Sequence, residues 1–470
     1  MAIRTPSRKA AVARPAPAIA LTPASVPAQR LALIEPDCAQ RVVAWRGSLG
    51  VTQEQFLRDV HALADRLPQA SHAFNLCEDR YHFMTAFAAV CLRGQTNLLP
   101  PSQAGGVIAE IAQVYPGCYA LGEGASPDPS LPWVAVDEPD TSAATSEQRV
   151  PTIAEDHLAA LVFTSGSTGA SQAHAKTWRT LVQTARLATQ RFLHAGEPGP
   201  NIVATVPAQH MYGLETTVMM ALAGGCAIHA GRTFYPADLR EALEQLPAPR
   251  LLATTPVHLR ACVATPRPFP ALQLVISATA PLDVELAAAA EAVLGAPVHE
   301  IYGCTEAGSM ASRHTVDTEV WQFYPGMRLV RCEDVDYVQG LHLNAPVALP
   351  DVLEALGDGR FLLRGRSSDM IKVGGKRSSL GELTRRLLQV PGIVDAVVFV
   401  PGARAGNEAR PAALVVAPDL SERQILAALA EMIDPVFLPR PLIRVSRLPR
   451  NAVGKLPHAA LLAELERARG

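Results

Sequence analysis

The sequence predicts an α/β protein in which a large N-terminal domain of mostly parallel sheets and helices is followed by a small α+β C-terminal domain. Three observations carry this reading. Between about 155 and 302, short apolar runs alternate with helical patterns; after about 370 the pattern changes to a compact mix of strands and helices; and two of the sharpest motifs, at 164–169 and 302–306, directly follow predicted strands.

Residues 1–28 are rich in Ala, Pro, Arg and Ser and lack the apolar run of a secretory signal. They read as a flexible tail that buries too little surface to offset its ordering entropy. The N-terminal domain is placed at 29–368. In it the runs 158–163, 202–206, 251–254, 272–276 and 298–302 are expected as strands, and 176–193 and 284–294 as helices. Sheets of this kind bind ligands beyond the carboxyl ends of their strands. The C-terminal domain is placed at 369–470, with a helix at 382–388, strands at 393–400 and 412–416, a helix at 422–433, a strand at 442–445 and a last helix from about 457. Ser421 and Gln424 form a capping box ahead of Ile425, Leu426, Leu429, Met432 and Ile433 on one face.

Among the 470 residues, 42 Lys plus Arg face 44 Asp plus Glu, so no overall field favours a polyanion and nucleic acid is not an expected partner. Phosphate binding must then be local. The eight cysteines are scattered without a C-x-x-C pair, as in a cytoplasmic protein with reduced thiols. The longest apolar stretch, 216–231, is broken by Gly224, Gly225 and His229 and falls short of the roughly 20 residues that cross a bilayer, so no membrane span is expected.

The loop Phe163-Thr-Ser-Gly-Ser-Thr-Gly169 offers the hydroxyls of Thr164, Ser165, Ser167 and Thr168, while Gly166 and Gly169 allow a tight turn. Backbone N–H groups and hydroxyls can cradle phosphate without net positive charge. Ile301-Tyr-Gly-Cys-Thr-Glu306 follows a strand; Thr305 could hydrogen-bond a phosphate, and Glu306 could ligate Mg²⁺, which takes one or two carboxylates plus phosphate oxygens. Asp351 and Arg366 lie 15 residues apart around the turn Gly357-Asp-Gly359, which suits a ribose-binding carboxylate on one strand and a guanidinium on the next. Pro449-Arg-Asn-Ala-Val-Gly-Lys455 sets a lysine just before the last helix, where the helix dipole disfavours a cation and an anionic ligand would favour it.

In this combination the chain resembles the superfamily of acyl- and aryl-CoA synthetases, peptide-synthetase adenylation domains and luciferases. The likeness runs in order through Thr-Ser-Gly-Ser-Thr-Gly, Pro207-Ala-Gln-His-Met-Tyr-Gly213, Ser277-Ala-Thr-Ala-Pro281, Tyr-Gly-Cys-Thr-Glu, the Asp351 segment, Gly365-Arg-Ser-Ser-Asp-Met-Ile-Lys372-Val-Gly-Gly375 and the Lys455 segment. The resemblance implies ATP-dependent formation of an acyl adenylate, followed by transfer to a thiol. By matching position, Thr164, Ser165, Gly166, Ser167, Thr168 and Gly169 are expected to hold the ATP phosphates. Thr279, Ala280, Pro281 and Tyr302 would flank the adenine, Asp351 and Arg366 the ribose, and Glu306 would hold Mg²⁺. Lys455, His210 and Thr305 carry the catalytic expectations, with His210 near the acyl carboxylate and Lys455 bridging that carboxylate and the α-phosphate. Asp369 would be the hinge of a mobile C-terminal domain, and Gly374 and Gly375 would border a pantetheine channel.

The chain departs from the family at Ala170-Ser171-Gln172, where Pro-Lys is usual, and His174 or Lys176 is a candidate replacement for that lysine, Lys176 reading equally well as the start of a solvated helix. Leu349-Pro350 stands where Thr-Gly is usual. The segments 75–80, 171–178 and 207–215 look most like short stand-alone AMP-ligases of bacterial aryl-polyene and xanthomonadin-type pigment clusters. That likeness implies a small aryl acid, 4-hydroxybenzoate-like, loaded onto the phosphopantetheine of an acyl carrier protein. The alternatives are a ligase using free coenzyme A and a non-catalytic sensor of a nucleotide or acid.

Overall fold

The structure is a computed structural model that describes residues 29–36, 39–136, 149–165, 171–194, 198–332, 335–366, 370–373, 376–402, 410–450 and 456–468. The expected tail at 1–28 and hinge at Asp369 lie outside the described residues.

Parallel strands buried on both faces need apolar residues at successive positions. The runs read from the sequence meet this need. Ile202 and Ala204 face one core and Val203 another; Leu251 and Ala253 oppose Leu252 in the same way, and Leu274 and Ile276 oppose Val275. Six parallel strands result, in the spatial order Val42–Arg46, Ala227–His229, Asn201–Ala204, Arg250–Thr254, Leu274–Ser277 and Val298–Cys304. Leu49–Thr52 closes one edge. Beyond the other edge the sheet continues antiparallel through Gly308–His314, Trp321–Phe323, Arg360–Arg366 and Asp351–Gly357, to eleven strands.

A second sheet has the order Ser171–Thr177, Leu158–Ser165, Thr96–Leu99, His72–Asn75, Tyr119–Gly122 and Trp133–Ala135, and only its first pair is antiparallel. Between the sheets lies the helix Arg80–Leu92, buried from Arg80 to Cys91 and started by Asp79, whose carboxylate accepts from Tyr81 N and His82 N. A helix buried on every side can sit only between two layers. Trp178–Phe192 shares this layer, while Pro236–Gln245, Pro256–Val263 and Val284–Leu294 cover the outer face of the large sheet and Gly105–Val114 that of the smaller one. The stack is thus helix, sheet, helix, sheet, helix.

One expectation changes. The helix expected at 176–193 begins instead at Trp178, after the N-cap Thr177, and Ser171–Thr177 is a strand antiparallel to Leu158–Ser165. His174 and Lys176 point inward while Ala173 and Ala175 are exposed, so the usual alternation is inverted and does not read as a strand. Thr164 and Ser165 therefore end one strand of an antiparallel pair whose other strand begins at Ser171. The apolar stretch at 216–231 enters the core through one π-helical turn, Leu214–Met219, and the helix Met220–Ala223. No helix among the described residues is long and apolar enough to cross a membrane.

From Met370 onward, the hairpin Met370–Val373 and Lys376–Ser379 leads into the helix Leu380–Leu388 and a three-stranded sheet of Asp395–Phe399, Ala412–Val416 and Leu442–Arg444. The helix Glu422–Ala430 starts at the capping box of Ser421 and Gln424, as its sequence predicts, and His458–Arg467 closes the unit. The seven described cysteines are all free thiols.

Arg80 ties the middle layer to the large sheet. Only 4% exposed, its guanidinium donates to the carbonyls of Gly231 (2.6 Å), Val206 (3.1 Å) and Ala204, all just beyond or at the carboxyl ends of parallel strands. Burial lowers its pKa to about 10, opposed by Asp79. Arg80→Met removes every one of these donors while keeping an unbranched apolar stem. We expect a loss of about 3 kcal/mol, seen as a lower urea midpoint at unchanged m-value.

Candidate active site

Three of the expected site segments leave the carboxyl edge of the same parallel strands. Residues 205–210 follow Asn201–Ala204, 278–281 follow Leu274–Ser277, and 302–306 end Val298–Cys304. In the first, the chain turns so tightly that a Cβ on Gly213 would lie 1.9 Å from the carbonyl oxygen of Pro207. This turn sets the half-buried His210 ahead of Met211–Gly213, and the His210 carbonyl accepts from Leu214 N at 2.8 Å. In the second, Thr279 has φ +79°, a left-handed conformation that a β-branched residue rarely adopts, and Thr279 and Pro281 are exposed around the half-buried Ala280.

The third segment is the turn 305–307 of a hairpin between Val298–Cys304 and Gly308–His314. It meets the other hairpin, which belongs to the second sheet. Thr164 Oγ1 lies 3.0 Å from His174 Nε2, and His174 Nδ1 lies 3.7 Å from Glu306 Oε1. Lys176 Nζ donates to the Glu306 carbonyl at 2.7 Å. The Glu306 carboxylate is itself 47% exposed. Among the described residues no cluster of three or more His, Cys, Asp or Glu could hold a metal. One open carboxylate beside hydroxyls fits Mg²⁺, which keeps most of its sphere for water and phosphate oxygens.

Asp351 and Arg366 are direct partners in the antiparallel register of Asp351–Gly357 and Arg360–Arg366, across a turn in which Gly357, Asp358 and Gly359 all have positive φ. The 15-residue spacing thus puts them opposite each other, and the Leu349-Pro350 departure leaves this register in place. Tyr302 OH donates to Asp351 Oδ2 at 2.8 Å, and its buried ring stands edge-on to Trp321 and Phe361. Tyr302 and Asp351, separate motifs in the sequence, are one unit here.

Thr164, His210, Thr279, Ala280, Pro281, Tyr302, Thr305, Glu306 and Asp351 are therefore described, and they gather at this edge. Gly166, Ser167, Thr168, Gly169, Asp369, Gly374, Gly375 and Lys455 lie outside the described residues, as do the side chains of Ser165 and Arg366. Of the two candidates for the missing loop lysine, Lys176 is corrected: it is 1% exposed, not at the start of a solvated helix, and bonded to the Glu306 carbonyl, whereas His174 lies between Thr164 and Glu306. Sequence reasoning also missed Glu215, which is 3% exposed on the π-helical turn. Its Oε2 accepts from Ser309 N (3.0 Å) and Ser309 Oγ (2.6 Å). Burial pushes its carboxyl up, opposed by the Ser309 hydroxyl and by Lys176, while burial pulls the Lys176 ammonium down, opposed chiefly by Glu215. A lone acid inside the run 214–223 was the available signal.

Near Lys176 lies His342, 3% exposed with no partner for Nε2 among the described residues. Burial first, then Lys176 and Arg179, lowers its pKa from 6.5 to about 4. The unfolded chain takes up this proton at a higher pH than the native one, so acidification between 6.5 and 4 favours unfolding. We expect urea stability to fall through that window by up to about 1.4 kcal/mol per pH unit from this residue, and His342→Gln to flatten the slope.

Comparison with known proteins bears on this geometry. A model of the AMP-binding enzyme family matches residues 68–336. The 4-coumarate–CoA ligase of Halorhodospira halophila is 30% identical over 319 residues, which is 64% of this chain and 76% of that one. A fatty acid–[acyl-carrier-protein] ligase, MmaC, of Mycobacterium marinum is 26% identical over 394 residues, 69% of this chain and 71% of that one. In fold the chain is similar to the o-succinylbenzoate CoA synthetase MenE of Bacillus subtilis in complex with its acyl-adenylate intermediate, with a TM-score of 0.76 at 18% identity over 90% of this chain and 95% of that one. The same synthetase in complex with ATP and magnesium ion gives a TM-score of 0.76, also at 18% identity, over 89% and 96% of the two chains. With the family model spanning more than half of its residues, the chain belongs to the AMP-binding enzyme family and is an AMP-forming acid–thiol ligase.

Proposed function

We propose that this ligase, working in the cytoplasm, activates a small aryl acid of the 4-hydroxybenzoate kind with ATP and loads it onto the phosphopantetheine thiol of an acyl carrier protein. The observation that carries the reading is the meeting of the two hairpins through Thr164, His174 and Glu306, beside the edge that bears His210, Thr279 and the Tyr302–Asp351 pair. Hydroxyls and an open carboxylate there suit a triphosphate, and the hydrogen-bonded tyrosine and aspartate suit a nucleoside.

In the first step a carboxylate oxygen of the acid attacks the α-phosphorus; the new O–P bond forms as the bond to pyrophosphate breaks. Both partners are anionic, so the barrier is lowered by alignment and charge neutralisation more than by a covalent nucleophile. In our reading Thr164 to Gly169 hold the phosphates, with Thr305 beside them. Thr279, Ala280 and Pro281 border the adenine, Asp351 and Arg366 take the ribose, and His210 stands at the acyl carboxylate. Lys455 bridges that carboxylate and the α-phosphate. Glu306 would hold Mg²⁺, which would supply countercharge to the phosphate oxygens. In the second step the thiol sulfur attacks the acyl carbon, the C–O bond to AMP breaks, and the thiol proton leaves to solvent. A C-terminal domain of residues 369–470 turning about Asp369 would exchange Lys455 for a channel bordered by Gly374 and Gly375.

The likeness to MmaC, named as a carrier-protein ligase, and the resemblance to stand-alone pigment-cluster AMP-ligases support the carrier. A second reading, transfer to free coenzyme A, is favoured by the likeness to 4-coumarate–CoA ligase. No observation favours a non-catalytic sensor.

Acid-dependent exchange of pyrophosphate into ATP, run over benzoates, cinnamates and fatty acids, tests the first step and the acid together; we expect the benzoates to lead. Thioester formation with a phosphopantetheinylated carrier protein against coenzyme A then decides the acceptor. Lys455→Ala is expected to suppress exchange by several orders of magnitude while a preformed adenylate still reacts with thiol. Equal loss of both steps would refute a step-specific lysine. A bulky residue at Gly374, as in Gly374→Trp, is expected to spare exchange and block thioester formation.

A further inference from the structure

The turn 305–307 is gripped from beneath at two points. Lys176 Nζ holds the carbonyl of Glu306, its one hydrogen-bond partner among the described residues, and Glu215 holds both the amide and the hydroxyl of Ser309. Between them, Gly308 has φ +79°, and a Cβ on it would lie 2.3 Å from Glu215 Oε1, so the chain is seated directly on the carboxylate. Lys176 and Glu215 are opposite charges, each at most 3% exposed. Both are nearly sealed from solvent.

We infer that Lys176 is a positioning residue for the Glu306 carboxylate: its buried ammonium fixes the Glu306 peptide, Glu215 holds the far side of the same turn, and neither meets the substrate. The inference rests on the reading of Glu306 as the Mg²⁺ ligand and assigns what holds that ligand in place. Two buried charges are a poor way to add stability, because desolvation offsets most of their attraction and apolar residues of similar volume do as well or better. They are a good way to fix one peptide in one orientation, since a carboxylate set two methylenes from its backbone moves with that backbone and metal binding suffers from small displacements. The geometry also removes the alternative in which Lys176 reaches the phosphates itself: its Nζ is committed to a peptide oxygen behind the turn.

The test compares wild type, Lys176→Met, Lys176→Met with Glu215→Gln, Glu306→Gln, and Lys176→Met with Glu306→Gln. Calorimetry gives the affinity for α,β-methylene-ATP with Mn²⁺ and with EDTA, and thermal unfolding is recorded for each protein. The tightening that Mn²⁺ confers is expected to drop at least tenfold in Lys176→Met, whose unpaired Glu215 also lowers the unfolding midpoint, and to drop likewise in the doubly neutral Lys176→Met with Glu215→Gln, whose midpoint holds or rises; a role in stability alone predicts wild-type tightening in the variant whose midpoint holds. Adding Lys176→Met to Glu306→Gln is expected to change the tightening no further, and an additive loss overturns the inference. Should Lys176→Met fail to fold, the doubly neutral Lys176→Met with Glu215→Gln is read in its place: weakened tightening supports the inference, and wild-type tightening, or failure of this protein also to fold, overturns it. If Glu306→Gln keeps the wild-type tightening, Glu306 is not the metal ligand and the reading beneath falls. If Glu306→Gln loses it and Lys176→Met does not, the inference alone falls.

Discussion

A lysine ammonium bound to a peptide carbonyl joins two sheets that share no hydrogen-bonded strand. Lys176 belongs to the smaller sheet and Glu306 to a hairpin of the larger one, and their contact brings the two hairpins together. Everything proposed for the triphosphate depends on that approach. Thr164 lies on one side of it and Glu306 on the other, with His174 between them. The middle helix is tied to the larger sheet by Arg80, which reaches the carbonyls of Ala204 and Val206 just before the Pro207–His210 turn. The segment that presents His210 is therefore referenced to the layer between the sheets, and the turn that presents Glu306 to the smaller sheet.

Such ties are costly in free energy. A guanidinium, an ammonium and a carboxylate sit in the middle of a five-layer stack, each with fewer partners than water would offer. The apolar surface around them offsets this, and the arrangement of that surface explains why it can. Each central parallel strand contributes alternate residues to two cores, so a short strand is buried twice over. Polar ties placed between such layers resist sliding of one sheet over the other, which apolar contact alone opposes weakly.

How far the sequence could be read depended on whether local pattern and tertiary environment agree. Strands such as Leu251 to Thr254 are apolar because both faces are covered, and they were legible. The Asp351–Arg366 pairing was legible because a glycine-flanked turn fixes register, and register converts a spacing into a juxtaposition. The capping box at Ser421 announced its helix in the same local way. The strand at 171–177 was not legible, since its inward face carries His174 and Lys176 and its outward face alanines, a pattern set by partners more than a hundred residues away in Glu306 and its turn. Glu215 stood inside an apolar run as an anomaly whose meaning required the fold. The union of Tyr302 with Asp351 likewise crosses three intervening strands that sequence spacing does not relate.

Gly308 has a bearing on how this protein can change over generations. Its missing side chain leaves the space that the Glu215 carboxylate occupies, and that carboxylate is the chief charge opposing the loss of the Lys176 proton. A lineage that acquired any larger residue at 308 would have to displace the acid, and a displaced acid would leave the lysine as an unbalanced interior cation. Retention of one member thus selects for the other two. The three positions form a single unit of inheritance, expected to be kept or abandoned together, although 132 residues separate the first from the last.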